Sequence, residues 1–526
     1  MQGVIKRYDL AIVGSGFAGS LLAMIARRLG LSVVLLEKFR HPRFAIGESA
    51  TPLANLLIEE LASRYDLPRL LPLSKFGSWQ ESYPQIACGL KRGFTFYHHR
   101  LGEPFQDDSA RSNQLLVAAS PHERIGDTHW YRPDFDHFLV REAEQYGAEY
   151  FDEIELDPPR FDEHKVVLTG RRHSQPLSFS VRFLIDATGP RGFIHRALEL
   201  SERPFEKLPA THGLYTHFRG VRRLESMSMH PSTDTPPYPI DDAAVHHIFD
   251  GGWIWVLRFN NGITSAGVAA VAELAERLQF RKGREAWNRL LQEIPTVAEQ
   301  FLDSEPEFDF VHSPRLSFHS EAITGERWAM MPSAAGFIDP LLSTGFPLTL
   351  LGISRLARAL ETDFESNQFR DHLHQYEIQT EQELLTAERL VAALYANMND
   401  FELFTSISLL YFAAASFTEA ARRLGRTGLA ESFLLHDNPS FGLSSRTCFD
   451  QAIRYLSPDE KERLKKEIQH TIEPVNVAGL GKPERRNWYP VNADDLLAAA
   501  PKLQADAVEI KQLLRRTGFE SNEALV

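Results

Sequence analysis

The chain has 526 residues, of which 43% are hydrophobic and 24% are charged, and its net charge is −13. This is the composition of a folded protein of two or three domains. Acidic and basic residues are intermixed, so no basic face indicates nucleic acid or an anionic membrane as a partner. The two cysteines, Cys88 and Cys448, exclude a disulfide framework and a metal site built from cysteines, and they favour a cytoplasmic protein.

The N-terminal residues have the pattern of a βαβ unit. Residues 8–13 predict a strand, residues 20–29 a helix and residues 32–37 a second strand. Because the first strand begins so early, we expect no signal peptide.

The turn between that strand and the helix reads Gly14-Ser-Gly16-Phe-Ala-Gly19. Its glycines permit a tight turn, the approach of a pyrophosphate and close packing of helix on strand, as in dinucleotide sites. Glu37, at the end of the second strand, is placed to accept a hydrogen bond from a ribose hydroxyl. The residues predicted to form this site are Gly14, Gly16, Phe17, Ala18, Gly19, Glu37 and Lys38.

Three later loops identify the dinucleotide. Residues 43–52 follow the βαβ unit, a buried strand at 181–185 leads into Ala187-Thr-Gly189, and a strand at 327–331 leads to a loop that ends at Gly345. Loops at these separations favour one long ligand, and FAD fits this better than NAD. The residues added to the predicted FAD site are Arg43, Gly47, Glu48, Ser49, Ala187, Thr188, Gly189, Asp339 and Gly345.

The remaining elements predict a second sheet and a helical region. Further elements are predicted at 53–64 (helix), 91–97 (strand), 134–147 (helix), 245–249, 253–259 and 264–269 (strands), and, after a helix from 347, at 375–394 and 403–424 (helices). The stretch 403–421 is the most hydrophobic, but serine, threonine and glutamate interrupt it. We interpret it as a buried core helix and predict no membrane span.

We predict an α/β fold with a Rossmann-like FAD-binding domain, an inserted mixed β-sheet domain for substrate and a C-terminal helical region. The predicted boundaries are 1–200 with 326–370 for the FAD-binding domain, 201–325 for the substrate domain, 371–470 for the helical region and 471–526 for a surface tail.

Several motifs together resemble those of the flavin-dependent halogenases, a branch of the FAD-dependent aromatic monooxygenase superfamily. These motifs are the glycine turn, Gly47-Glu-Ser49, Arg132-Pro-Asp-Phe-Asp136, the Ala-Thr-Gly turn, and Phe337-Ile-Asp-Pro with Ser343-Thr-Gly345. They extend from residue 8 to about residue 424. The resemblance implies a fold like that of para-hydroxybenzoate hydroxylase, with FAD as the cofactor.

The resemblance also implies roles outside the FAD site. The backbone N–H groups near Thr344 and Gly345 match the halide site of the family, and successive amides before a helix do bind anions; the alternative is that they only hold the flavin. Lys91 matches a lysine that stands between flavin and substrate, with Arg92 as a rival. Trp253 and Trp255 match a tryptophan pair that would face one side of a strand, as a wall beside the substrate or as core packing.

The chain departs from the family pattern at three places. Leu257-Arg258 replaces Ile-Pro after the tryptophan pair, and Pro332-Ser333 replaces a Gly-Asp pair whose carboxylate binds the flavin ribityl chain. Leu342 stands where tryptophan halogenases carry a glutamate. We therefore expect a phenol, a pyrrole or a carrier-bound substrate rather than free tryptophan.

The resemblance implies an enzyme that forms hypohalous acid from FADH2, O2 and chloride or bromide, and that halogenates an electron-rich aromatic compound. Because no second nucleotide fingerprint is visible, FADH2 would come from a separate flavin reductase or by direct, transient contact with NAD(P)H. No metal is implied, and a homodimer stays open. Because of Arg258 and the missing Ile-Pro, a hydroxylase or an epoxidase remains an alternative function. A geranylgeranyl-reductase-like enzyme and a flavoprotein without turnover stay open as well.

Overall fold

The structure is a computed structural model that describes residues 5–227 and 234–519. In these residues the strands are β1 Lys6–Val13, β2 Val33–Leu36, β3 Cys88–Lys91, β4 Gly93–His98, β5 Gln114–Ala118, β6 Asp127–Trp130, β7 Glu149–Phe151, β8 Ile154–Leu156, β9 Arg160–Asp162, β10 Lys165–Arg172, β11 Gln175–Asp186, β12 Thr211–Arg219, β13 Ala244–Phe249, β14 Gly252–Arg258, β15 Thr264–Val271, β16 Glu305–Pro306, β17 Val311–Ser313, β18 Phe318–His319, β19 Thr324–Gly325, β20 Trp328–Met330, β21 Gly336–Phe337 and β22 Trp488–Tyr489. The α-helices are α1 Phe17–Arg28, α2 Pro52–Arg64, α3 Phe76–Ser82, α4 Arg132–Gln145, α5 Phe193–Ala197, α6 Ala272–Leu278, α7 Arg284–Glu293, α8 Pro295–Gln300, α9 Pro332–Ala335, α10 Gly345–Leu360, α11 Asn367–Tyr395, α12 Phe401–Arg423, α13 Gly442–Ala452, α14 Pro458–Ile472, α15 Ala493–Ala498 and α16 Ala507–Arg516.

The first sheet contains the predicted βαβ unit. β1 pairs in parallel with both β2 and β11, so that Leu10 lies opposite Val33 on one side and Phe183 on the other. β11 pairs in parallel with β20, and β2 pairs in parallel with β7. The last four residues of β1 and all of β2 are buried. Parallel strands joined by the helical crossover α1 confirm the Rossmann-like half of the prediction.

The second sheet is mostly antiparallel and has the strand order β16-β12-β15-β14-β13-β4-β5-β22. Strands β12 to β16 come from residues 201–325, the predicted substrate domain. The sheet also takes β4 and β5 from residues 93–118 and β22 from the predicted tail, so it extends beyond the predicted boundaries. β4 joins the sheet because it pairs in parallel with β13, with Phe94 opposite Ala244.

The strand predicted at residues 91–97 is confirmed as β4 from Gly93 onward, but the chain divides at Arg92 and Lys91 belongs to a different strand. β3 ends at Lys91 and pairs with β6, whereas β4 begins at Gly93 and belongs to the second sheet. The Arg92 N–H donates to the carbonyl of Asp242 over 2.7 Å instead of continuing a ladder. Lys91 therefore lies at the end of the separate two-stranded β3–β6 sheet, just before the chain enters the second sheet.

Helix α12 packs on β4 of the second sheet. The ring of Phe412 contacts Phe94, and the ring of Phe404 contacts Phe96. By length and composition α12 could cross a membrane, but 78% of its most apolar window is buried inside the protein. This confirms the interpretation of the segment as a buried core helix.

The segment predicted to be a surface tail packs against the rest of the protein. Its β22 pairs with β5 at the edge of the second sheet. The α16 residues Ile510 and Leu514 are fully buried, and Arg426 forms an ion pair with Glu509 over 2.7 Å. The tail thus supplies part of the core as well as surface.

Candidate active site

The glycine turn after β1 is held by two close backbone contacts. Gly14 has a φ of +100°, and a Cβ there would lie 2.6 Å from the carbonyl carbon of Ala187. A Cβ on Gly19 would lie 1.9 Å from the carbonyl oxygen of Gly14. Only glycine fits at both positions. As a result α1 packs closely on β1, and the Ala-Thr-Gly turn lies beside the glycine turn.

Two arginines face the N-terminus of α1. Gly16 caps this helix, and no side chain caps it. A Cβ on Gly16 would lie 3.4 Å from Nη2 of Arg132 and 3.9 Å from Nη2 of Arg43. Nε of Arg43 is buried without a hydrogen-bond partner. Free helix amides and two guanidinium groups together suit a pyrophosphate.

Glu37 lies buried at the end of β2 and accepts several hydrogen bonds. Its carboxylate accepts from Ser15 N–H over 3.0 Å, from Ser15 Oγ over 2.9 Å and from Phe39 N–H over 3.0 Å. Although burial alone would raise it, Arg43 and these donors hold the pKa of Glu37 below its usual range. Glu37 is therefore ionised and fixed beside the glycine turn, whereas the neighbouring Lys38 is exposed.

Arg132 fixes the loop that contains Gly47. Its Nη1 donates to the carbonyls of Ile46 and Gly47 over 3.0 and 2.9 Å. Its Nε and Nη2 donate to Asp136 over 2.8 and 2.7 Å. The Arg-Pro-Asp-Phe-Asp motif at the start of α4 thereby positions the Gly-Glu-Ser loop, and Gly47 itself is exposed with a φ of +82°.

An aromatic cluster connects the glycine turn to the start of α10. The Phe17 ring lies 5.0 Å from the Phe346 ring and 5.4 Å from the Trp130 ring, between centroids. Ala18, next to Phe17, is buried. The cluster brings the first and the last of the predicted FAD loops together.

The Ala-Thr-Gly turn is stabilised by Asp186. The Asp186 carboxylate accepts from Thr188 N–H over 2.9 Å, from Thr188 Oγ1 over 2.6 Å and from Ile194 N–H over 2.6 Å. Gly189 has a φ of +83°, and a Cβ there would meet no atom within 4 Å. The turn therefore keeps a fixed shape with clear space beside it.

The side chain of Glu48 points to the second sheet. Its Oε1 lies 2.7 Å from Nε2 of His217 on β12, and both side chains are almost fully buried. The backbone carbonyl of Glu48 accepts from Trp130 N–H over 2.6 Å. Glu48 thus connects the Gly-Glu-Ser loop to the second sheet through its carboxylate.

Lys91 is fully buried beside this same loop. Its Nζ donates to Ser49 Oγ over 2.8 Å and to the Ala50 carbonyl over 2.7 Å. The same Nζ lies 3.8 Å from the centroid of the Phe94 ring. Burial lowers the pKa of Lys91 to about 7, and the neighbouring Asp127 partly opposes this. Its rival Arg92 donates to the carbonyls of Ser120 and Pro121 instead.

Three buried titratable side chains surround Lys91, and the sequence did not identify them. Asp127 lies opposite Lys91 in the β3–β6 ladder and accepts from Asn55 Nδ2 over 2.9 Å. Burial raises the pKa of Asp127 to about 6. Burial, and then the charge of Lys91, lower the pKa of His246 to about 3 and that of His129 well below its usual value. Both imidazoles are therefore neutral, and the β3–β6 pairing is the signal that would have indicated Asp127.

Asp339 and Trp253, both predicted site residues, form one buried network. The Asp339 carboxyl accepts from Trp253 Nε1 over 3.2 Å, from Tyr395 Oη over 2.9 Å and from Leu341 N–H over 2.9 Å. Burial raises the pKa of Asp339 to about 7. Trp255 lies on the same face of β14 as Trp253, with ring centroids 5.6 Å apart. The two rings form one continuous aromatic surface.

The loop before α10 has two residues in the left-handed region. Leu342 and Ser343 have φ values of +61° and +55°. No side chain caps α10 at Thr344, and a Cβ on Gly345 would meet no atom within 4 Å. The first N–H groups of this 16-residue helix therefore have no capping partner, which makes them able to bind an anion. Tyr411 Oη donates to the Leu342 carbonyl over 2.9 Å and connects the loop to α12.

Arg258, the residue that favoured a hydroxylase, donates to the loops beside the second sheet. Its Nε donates to Asp241 over 2.9 Å and its Nη1 donates to the Val221 carbonyl over 2.9 Å. Ser333 lies in the short helix α9 and is partly buried. Neither Arg258 nor Ser333, two of the departures from the family pattern, places a new charge beside Lys91.

A cavity of about 180 Å³ is lined in part by Phe94, the residue whose ring contacts the Lys91 ammonium. β4 and β5, one face of α12 and the tail segments 477–496 and 513–519 form its walls. Phe94, Val117, Tyr411 and Phe412 give it an apolar lining, and Lys75, Glu419 and Arg423 add charged groups. No pattern in the sequence indicates this cavity, because its walls are distant in the chain.

The residues around the glycine turn fit FAD. Helix amides at Gly16 with two guanidinium groups suit its pyrophosphate, and the fixed carboxylate of Glu37 suits a ribose. Gly189 and Gly345 both have room for a ligand beside their Cα atoms. The structure therefore gathers the predicted loops around one elongated site.

Comparison with known proteins agrees with FAD as the cofactor. The profile of the tryptophan halogenase family matches residues 128–402, more than half of the chain. The monodechloroaminopyrrolnitrin halogenase PrnC of Pseudomonas fluorescens is 30% identical over 412 residues, which cover 77% of this chain and 71% of PrnC. A tetracycline 7-halogenase of Kitasatospora aureofaciens is 29% identical over 99% of this chain and 97% of its own length.

A solved structure agrees as well. The halogenase PltM in complex with phloroglucinol and FAD superposes with a TM-score of 0.81 at 26% identity, over 91% of this chain and 99% of PltM. The chain therefore belongs to the flavin-dependent halogenases, enzymes that use FAD and a halide.

Proposed function

We propose that this halogenase acts on a small electron-rich aromatic compound, and that Lys91 positions the electrophilic halogen. The observation that supports this is that Lys91 contacts residues of both proposed sites. Its ammonium group binds Ser49 and Ala50, in the loop predicted to contact FAD. It also lies on the ring of Phe94, which lines the cavity. A group in this place can receive an oxidant formed on one side and present it to a substrate on the other.

The chemistry assigned to Lys91 is the polarisation of hypohalous acid. Reduced FAD supplies two electrons that, with O2, a proton and halide, give hypohalous acid and water. The Lys91 ammonium donates a hydrogen bond to the oxygen of hypohalous acid and makes the halogen more electrophilic. The aromatic carbon bonds to the halogen as the halogen–oxygen bond breaks. The oxygen leaves as water with the Lys91 proton, and the ring proton returns to the amine.

We assign the halide to the N–H groups at Thr344 and Gly345. The N-terminus of α10 has no side-chain cap there, and its dipole favours an anion. Tyr411 connects this loop to the cavity wall. Chloride and bromide both suit such a site.

We assign FAD to the loops gathered around the glycine turn, with Arg43 and Arg132 on its pyrophosphate and Glu37 on a ribose. A separate flavin reductase is the proposed source of FADH2, because the sequence contains a single glycine fingerprint of this kind. Two free, buried cysteines are consistent with a cytoplasmic enzyme.

For the substrate we propose a phenol or a pyrrole. PltM binds phloroglucinol in its solved structure, and two of the curated relatives act on pyrrole-2-carbonyl groups attached to a peptidyl carrier protein. In this chain the cavity is apolar along most of its wall, as an aromatic ring requires.

Bromination of phenol by the reduced holoenzyme in air tests this proposal. Wild type is expected to form bromophenol, and Lys91→Met is expected to lose at least about 100-fold in rate while it retains FAD. Lys466→Met, which removes an exposed lysine of α14, is the matched control. Unchanged bromination by Lys91→Met, or a hydroxylated product that forms without bromide, would contradict the proposal.

A further inference from the structure

The face of α12 that lines the cavity changes chemistry along the helix. Tyr411, Phe412 and Ala415 form its apolar part, and Glu419 and Arg423 follow one and two turns after Ala415. This spacing places the five side chains on one side of the helix. The cavity therefore has an apolar part beside Phe94 and a charged end.

The charged end holds donors that the protein does not satisfy. Arg423 donates from Nε to Glu419 over 2.8 Å and from Nη1 to Glu59 over 3.5 Å, whereas its Nη2 is buried without a partner. Lys75 also lines the cavity, and within the described residues its ammonium group makes no hydrogen bond or ion pair. Burial, and then the charge of Arg423, lower the pKa of Lys75, and the carboxylates of Asp127, Glu419 and Glu59 partly oppose this. A desolvated ammonium group and an orphaned N–H both gain from an incoming acceptor.

We propose that Lys75 and Arg423 form an oxyanion-binding end of the cavity that holds the hydroxyl oxygen of a one-ring phenol as phenolate. This inference rests on the proposed function and names its substrate class. It assigns to Lys75 and Arg423 a role in specificity that is separate from the halogen-directing role of Lys91.

The size of the cavity supports a single ring. Its volume is about 180 Å³, and an engineered apolar cavity of about 150 Å³ holds benzene. A phenol ring can pack against the apolar wall formed by Phe94 and Phe412, whose rings are in edge-to-face contact with centroids 5.3 Å apart.

The open donors support a bound oxygen. Glu419 and Glu59 form ion pairs with Arg423, and both, together with Asp127, also act on the charge of Lys75. None of these carboxylates is within ion-pair distance of the Lys75 ammonium in the described residues, so its N–H groups can donate to a bound phenolate oxygen. A phenolate is more electron-rich than the neutral phenol, and electrophilic halogenation requires an electron-rich ring. Lys75 would thus both hold the substrate and activate it.

A binding experiment with 4-nitrophenol tests this inference without turnover. The absorbance of this probe differs between the phenol and the phenolate, so a difference spectrum of the oxidised holoenzyme reports which form is bound. At a pH where the free probe is mostly protonated, wild type is expected to bind it as phenolate. Lys75→Met is expected to raise the dissociation constant about tenfold or more and to abolish the phenolate signal.

Two variants and a second probe make the test specific. Lys75→Arg keeps the positive charge and is expected to retain part of the phenolate signal, and Lys466→Met is expected to match wild type. The methyl ether 4-nitroanisole, which cannot ionise, is expected to bind equally weakly to wild type and Lys75→Met.

Equal affinity and equal spectra in wild type and Lys75→Met would overturn the inference, as would binding of the neutral phenol to wild type. The outcome is distinct from that of the bromination test. Phenolate binding without bromination would overturn the proposed function and support this site. Bromination with binding that does not depend on Lys75 would support the proposed function and overturn this site.

Discussion

At the scale of single residues, the side chain of Lys91 is fully buried together with its amine. A buried ammonium is costly unless other groups stabilise it. Here it has two oxygen acceptors, the face of the Phe94 ring and the Asp127 carboxyl across the ladder. These contacts only partly compensate for burial, and the lowered pKa of Lys91 is the result. The amine can therefore exchange a proton near neutral pH, which an exposed lysine cannot do.

The rate of bromination should follow the protonation of Lys91. Because the pKa of Lys91 is lowered to about 7, the ammonium form is lost as pH rises through 7. We expect the rate with anisole, an acceptor that does not ionise, to fall between pH 6 and pH 9 with its midpoint near 7. Stopped-flow measurement across this range, with FAD retention checked at each pH, tests the expectation. A rate that is flat or that rises with pH would contradict it.

Asp339 should make stability depend on pH. Its pKa is raised to about 7 by burial, so the folded state holds a proton that the unfolded state loses near pH 4. This stabilisation is complete at pH 4 and is lost as pH rises through 7. Relative to Asp339→Asn, wild type should lose on the order of 2–4 kcal/mol of unfolding free energy between pH 5 and pH 8.

Urea unfolding followed by tryptophan fluorescence at both pH values measures this difference. Asp303→Asn, which alters an exposed ion pair with Arg222, is the control and should show a much smaller change with pH. If the difference between wild type and Asp339→Asn is the same at pH 5 and pH 8, Asp339 does not hold the proton.

At the scale of elements, the turn between β1 and α1 has no space for a larger residue. A Cβ on Gly19 would collide with the Gly14 carbonyl oxygen at 1.9 Å, and neither backbone can easily move. Gly19→Ala should therefore cost about 2–4 kcal/mol and weaken FAD retention. Gly428→Ala is the control, since a Cβ there would meet no atom within 4 Å. Thermal unfolding and the flavin content after gel filtration measure the two effects, and equal behaviour of both variants would refute the argument.

Elements that depend on local pattern could be predicted from the sequence. The glycine turn, the strands on either side of it and the start of α4 are signalled by residues close together in the chain. The division at Arg92 could not be predicted, because both Lys91 and Phe94 suit a strand and the choice of partner strand is made elsewhere. Asp127 could not be identified for the same reason, since its approach to Lys91 depends on the pairing of β3 with β6.

At the scale of the whole molecule, Lys91 contacts both the Gly-Glu-Ser loop and strand β4 of the second sheet. The first sheet and the loops at its edge form the predicted FAD site, and the second sheet and α12 form the cavity. Lys75 and Arg423 line the same cavity only because α12 packs over strands β4 and β5. Such a site is a product of packing, and no spacing in the sequence indicates it.

The tail should stabilise the molecule and limit the size of the substrate. Leu514 is fully buried in α16 and lines the cavity. Leu514→Ala should lower the unfolding free energy by about 2–4 kcal/mol and enlarge the cavity. We expect the variant to brominate naphthol better relative to phenol than wild type does. Val508→Ala, at an exposed position of the same helix, is the control, and an unchanged preference for phenol would contradict the assignment.

The residues that line the cavity lie between residues 52 and 519 of the chain, so the cavity is completed only late in the synthesis of the protein. The residues that form the predicted FAD loops, up to Gly345, leave the ribosome well before α16 does. At about 5–20 residues per second, the interval between them is on the order of 10–30 seconds. The nascent chain can thus complete its cofactor site while the substrate site still lacks a wall. FAD can therefore bind before the substrate cavity is closed. This order is an advantage for an enzyme whose oxidant can diffuse.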